Sequence, residues 1–230
     1  MRPIHVSPAD SLPSEARMLA QLADFAAVRA RIKVRLHGGT APPPGGKLLV
    51  RPIAEGLVAL LVCDFGPANI GVPRATAERW GLSSEELWAL AVDNLRAEPR
   101  LQVMRGAPRG ARAVDMLAGE TPFASSHLLF FERYMRGAPG YGALFTVPQR
   151  HVILRHRIRD ASVLGVVPFL RAMTDDAFAR GPGAISRGIY WWRPGGAIER
   201  LELFTAGDAL VVAPSARFQR EVIGKVIRAA

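Results

Sequence analysis

Nine residues, Leu57–Phe65 (LVALLVCDF), carry one acid and neither glycine nor proline. Alternate residues of a strand face opposite sides. A strand apolar at both parities must therefore be covered on both faces and belongs inside a sheet. Leu48–Ile53 reads as its hairpin partner across Ala54–Gly56, and Pro67 closes the run. Any fold for this chain has to supply a second neighbour for that strand and cover for both of its faces.

The remaining patterns supply strands and helices in alternation. Asn69–Val72, Arg100–Met104, Ala111–Leu117 and Ala143–Val147 read as short strands, with Arg105–Gly110 a tight connection and Pro148 a stop. Gly188–Trp192, Ile198–Phe204 and Ala209–Ala213 read as an antiparallel meander with Gly-rich turns. Ser14–Lys33 has apolar residues at helical spacing through Met18, Leu22, Phe25, Val28 and Ile32. HGGTAPPPGG (37–46) is a loop, since its prolines and glycines suit neither helix nor strand. A phosphate-cradling loop would need a helix directly after it, and Lys47–Ile53 reads as strand. Further helices are expected at Arg74–Trp80, at Phe123–Arg136, at Asp160–Ala179 around Pro168, and from Ser215 to about residue 228. The expected fold class is one α+β domain, with a mixed, mostly antiparallel sheet and packed helices. Residues 1–46 form an N-terminal helix and Pro/Gly-rich loop, and residues 47–230 the core.

The best-defined helix is Ser83–Leu95. Ser83 followed by Glu86 is a capping box, in which each side chain satisfies a free amide of the other. Glu85 and Glu86 also lie near the positive end of the helix dipole. Leu87, Leu90, Ala91 and Leu95 make one apolar stripe. Asn94 interrupts the pattern and is expected to brace a neighbouring loop.

The 230 residues suffice for one well-buried core, and 49% hydrophobic against 22% charged residues marks a globular chain. No apolar run approaches the roughly 20 residues a bilayer requires, and MRPIHVSPAD lacks the apolar segment of a signal peptide. Cys63 is the single cysteine and sits in an apolar run. It is expected buried and reduced, which fits a cytoplasmic protein. The net charge is +10, of which residues 100–159 hold +7. Nearly all the basic residues are arginines, so part of this charge reflects composition rather than design.

Residues 150–159 (RHVILRHRIR) have four arginines, two histidines and no acid. Val152, Ile153, Leu154 and Ile158 can anchor the segment, leaving the arginines as one outward face. Arginine suits phosphate or carboxylate because its planar fork gives two parallel hydrogen bonds. Arg109, Arg150, Arg155 and Arg157 are the expected anion-binding set, which Arg105 and Arg112 would extend. A plainly solvated face is the competing reading. His151 and His156 have neither helical nor strand metal-pair spacing, so no metal is expected. Ser125 and Ser126 are expected to cap the helix they begin. A serine nucleophile would need a base, and the adjacent His127 points elsewhere on a helix. Asp64, Asp115 and Glu120 are isolated acids near strand ends. Tyr190, Trp191 and Trp192 alternate across a strand, with one face expected in the core and the other a surface patch where bases could stack.

Three ordered segments resemble the bacterial YtpQ family, a family of unknown function. They are WGLSSEELWALAVDNL (80–95), then ASSHLLF (124–130) with GYGALFTVPQRHVIL (140–154), then AISRGIYWWRPGGAIERLEL (184–203), which carries a Ser-x-x-x-Tyr hairpin. The resemblance covers roughly residues 50–204 and singles out Trp80, Asn94, Leu95, Ser126, Pro148 and Arg150. It implies a soluble cytoplasmic α+β protein and brings no reaction or cofactor with it.

Three functional classes follow. The first is a non-enzymatic binding or regulatory protein, because no catalytic constellation stands out. The second is a nucleic-acid or phospholigand binder using the 100–159 surface. The third is a hydrolase or transferase with an unrecognised site. The expected partners are an anionic ligand, a nucleic acid or another protein.

Overall fold

A computed structural model describes residues 15–40, 46–66, 68–106, 113–135, 140–206 and 209–228. Its first sheet contains β1 (Ile32–Gly38), β2 (Val50–Ala54), β3 (Leu57–Asp64) and β4 (Asn69–Gly71). β3 lies between β1 and β2 and also pairs with β4, all antiparallel. The two-sided apolar run is thus the inner strand, as its sequence requires.

Its second neighbour comes from a segment whose spacing suggests a helix. The expected helix over Ser14–Lys33 is instead α1 (Glu15–Gln21), α2 (Phe25–Val28) and a 3-10 turn, followed by β1. Ile32, Val34 and Leu36 alternate and are buried, and this period of two prevails because β3 has an open edge to fill. β1 therefore lies before residue 47 but belongs to the same sheet as β2 and β3.

The second sheet runs β11-β10-β9-β7-β8-β6-β5 and is antiparallel throughout. Its strands are β5 (Gln102–Met104), β6 (Asp115–Ala118), β7 (Ala143–Gln149), β8 (Val152–Arg157), β9 (Ile189–Trp192), β10 (Ile198–Ala206) and β11 (Ala209–Ala213). β9, β10 and β11 form the expected meander. β7 continues through Pro148, where a register shift between Thr146 and Gln149 accommodates the missing N–H.

Both faces of the central strands β7, β8 and β9 are covered. Ala143, Phe145, Val147, Ile153, Tyr190 and Trp192 join one core with the first sheet, with α4 (Ser84–Arg96) and with residues 124–134. Leu144, Leu154, Ile189 and Trp191 face a second core, under α5 (Val163–Arg180) and the C-terminal helical stretch. That stretch comprises α6 (Ala216–Phe218), a π turn and α7 (Gly224–Arg228), and Ser215 caps it through the Phe218 amide. The expected surface patch on the Tyr190–Trp192 strand does not form, since Trp191 and Trp192 are both buried. α3 (Arg74–Arg79) precedes α4. No helix among the described residues is long and apolar enough to cross a membrane.

Candidate functional site

The arginine-rich strand β8 is built differently from its sequence expectation. Ile153 and Leu154 are neighbours and face opposite cores, so both faces of β8 are buried and its polar residues alternate between them. Arg155 is 2% exposed. Its guanidinium donates to the Asp115 carboxylate at 2.5 Å and to the Tyr134 carbonyl. Arg157 reaches the same carboxylate at 3.4 Å. The common exposed face expected for Arg150, Arg155 and Arg157 is therefore not present: two of the three are turned onto one acid. Arg109 and Arg112 lie outside the described residues. His156 faces inward with Nδ1 against the Ala113 carbonyl, and burial lowers its pKa.

Two of the positions marked by the family resemblance, Asn94 and Ser126, meet the free edge of β1. β1 pairs with β3 on one side only, so backbone groups on its other side need partners. Asn94, from α4, donates its amide to the carbonyls of Arg29 and Ile32, at 2.8 Å each. The Ser126 hydroxyl accepts the Leu36 N–H at 3.2 Å. Ser126 is thus an edge cap rather than a helix cap, and the segment holding it is a 3-10 helix, Ala124–Tyr134, kinked at Phe130. Trp80 donates its indole N–H to the Leu22 carbonyl at 2.9 Å. Leu95 is fully buried. The Pro148 carbonyl accepts the Ile185 amide. In the late hairpin, the Ser186 and Tyr190 hydroxyls meet at 2.8 Å, and Tyr190 also donates to the Glu55 carbonyl of the β2–β3 turn. Each of these residues braces the fold.

The other candidate chemical groups are similarly engaged. Asp64 pairs with Lys33 at 2.9 Å, and Glu98 closes on the same ammonium at 2.5 Å. Burial opposes that charge, but the two carboxylates outweigh it and raise the Lys33 pKa. His127 Nδ1 lies 2.6 Å from the Tyr134 hydroxyl, which also accepts the Leu101 amide. The hydroxyl proton is then free to point at Nδ1. Burial lowers the His127 pKa to about 4, so the ring is neutral. Among the described residues, no three His, Cys, Asp or Glu side chains gather as a metal-binding group.

Among the described residues, a groove of about 530 Å³ runs between β2 and α4, lined by Arg51, Glu85, Trp88 and Arg96, and two further cavities lie against the second sheet. The first of these two, about 250 Å³, lies between the second sheet and the C-terminal stretch and is lined by apolar residues such as Val163, Pro168, Leu201 and Phe218. The second, about 390 Å³, lies where β5, β6 and β8 end. Arg100, Gln102, Glu120, Thr121 and His151 line it, with Leu101 and Val152 as apolar walls. His151 is fixed there: its Nε2 accepts Arg150 Nε–H at 3.0 Å, so Nδ1 carries the proton toward the Gly119 carbonyl, 3.1 Å away. This cleft offers donors and acceptors of both charge signs, which suits a small polar ligand. Glu120 was legible as an acid near a strand end, whereas Arg100, Gln102 and Thr121 carried no local signal. They converge because the sheet sets Gln102 beside Ala118 and Ala118 beside Val152.

No family model matches this chain, and no curated protein or solved structure matches it significantly.

Proposed function

We propose that this protein is a non-enzymatic binding protein that holds a small polar ligand in the cleft at the ends of β5, β6 and β8. The convergence of Arg100, Gln102, Glu120, Thr121 and His151 in one cavity supports this reading. The groups best suited to catalysis elsewhere, Ser126, His127 and Asp115, are committed to internal hydrogen bonds. The ordered resemblance to the YtpQ family belongs to the same proposal, and that family adds no reaction. A cytoplasmic location completes it, supported by a buried lone thiol. The nucleic-acid alternative is weakened by the pairing of Arg155 and Arg157 with Asp115.

A thermal-shift panel of amino acids, small carboxylates and nucleosides tests the reading. A ligand should raise the melting temperature of the wild type, and Gln102→Ala or Thr121→Ala should abolish the response. A ligand response unchanged by both variants would refute the cleft. Chemical conversion of the bound ligand would replace this reading with the enzymatic one.

A further inference from the structure

Most buried or half-buried basic side chains of the described residues have a carboxylate. Lys33 has Asp64 and Glu98, Arg51 has Glu85, Arg155 and Arg157 share Asp115, Arg171 has Asp175, and Arg193 has Glu221. Arg35 and Arg150 are the exceptions: both are half-buried, and neither has an acidic partner among the described residues. They are also neighbours: Ser126 accepts the amide of Leu36, next to Arg35, and the preceding residue, Ser125, donates to the Arg150 carbonyl, which brings the two positive charges within reach of each other. Withdrawing two like charges from water side by side is costly unless an anion joins them.

We propose that Arg35 and Arg150 form an anion site, where β1 meets the β7–β8 turn, for a phosphate group.

The surroundings hold the pair in place. Ser126 binds the Leu36 amide, next to Arg35, while Ser125 donates its own amide to the Arg150 carbonyl at 2.9 Å. The two consecutive serines thus tie the strand to the turn. The Arg150 amide donates to the Gly183 carbonyl, and the Arg150 stem lies over Gly183, where a Cβ would come within 2.8 Å of Cδ. Gly183 has φ +69°, which also favours glycine. His37 lies on the same face of β1 as Arg35, two residues on, and its buried Nε2 has no partner among the described residues. Two planar guanidinium forks meet the geometry and double charge of a phosphate. Arg150 also donates to His151 of the strand-end cleft, so Arg35→Met, which leaves that contact in place, is the variant that separates this site from the cleft.

Titration calorimetry and thermal shift with inorganic phosphate, repeated with a simple phosphate monoester, test the proposal. Saturable binding that weakens with salt is expected. Arg35→Met and Arg150→Met should each weaken it about tenfold or more, the loss of a charge-assisted hydrogen bond. The exposed control Arg220→Met should bind as the wild type does. In phosphate-free buffer, Arg35→Met should melt no lower than the wild type, since it removes a like-charge contact. Tighter binding of the monoester would make the phosphate part of a larger ligand, and equal or weaker binding would make it the free ion. Absence of saturable phosphate binding to the wild type would overturn the proposal, even if a variant failed to fold. Equal stabilisation of both arginine variants and the wild type would do so as well.

Discussion

Ser83 shows how a local pattern can fix a local structure. Its hydroxyl accepts the Glu86 amide, and Glu86 answers by accepting the Ser83 N–H at 2.8 Å. Both partners lie within four residues, so nothing distant is required. Leu87 and Ala91 then face the core, as the stripe indicates. Ser83→Ala should cost about 1 kcal/mol of unfolding free energy in urea titrations. Cys63 is equally local in origin, since its apolar neighbours bury it, and that burial pushes the thiol pKa up to about 12. A charged disulfide reagent should leave the native thiol unmodified at pH 8 and react fully in denaturant. Rapid native labelling would show that the thiol is open to solvent.

At the scale of elements, the edge of β1 is the instructive case. An edge strand carries unpaired backbone groups that invite pairing with other chains. Here side chains from two different elements take two of them, Asn94 from α4 the Ile32 carbonyl and Ser126 from the 124–134 segment the Leu36 amide. Removing either leaves a backbone group without its partner, at a cost of about 1–3 kcal/mol. Asn94→Ala and Ser126→Ala should each lower stability by that amount, and Ser126→Ala should speed hydrogen exchange at the Leu36 amide. Normal stability in both variants would mean that water replaces the side chains without penalty. The 124–134 segment itself has apolar residues at helical spacing, so it reads as an α-helix. It folds as 3-10 turns because it is packed between the second sheet, β1 and α4. Phe131 there meets both Phe145 and Trp192.

At the scale of the molecule, the described residues form two sheets and two cores, and the pH response is a collective property. His127 and His156 are buried and His37 is half-buried, and burial lowers the pKa of each, that of His127 to about 4. The unfolded chain takes up these protons near pH 6.5, while the folded chain resists them to lower pH. Between those values the unfolded state binds more protons, so stability rises with pH. The full contribution is present above the unfolded pKa and is lost as pH falls toward about 4. The melting temperature should therefore drop between pH 7 and pH 4, with a shallower slope in His127→Gln. A flat profile would mean that these rings protonate without resisting.

What the sequence by itself determined is what short-range chemistry controls: the capped α4, the inner strand β3, the late meander and the α+β class. Each rests on periodicity or capping among neighbouring residues. Tertiary structure alone decided the rest. Ile32–Gly38 became a strand because β3 had an open edge, and Arg155 was buried because β8 is covered on both faces. The strand-end cleft and the Arg35–Arg150 pair were invisible for the same reason. Their members are far apart along the chain, and only sheet register and the Ser125–Ser126 link between β1 and the β7–β8 turn bring them together.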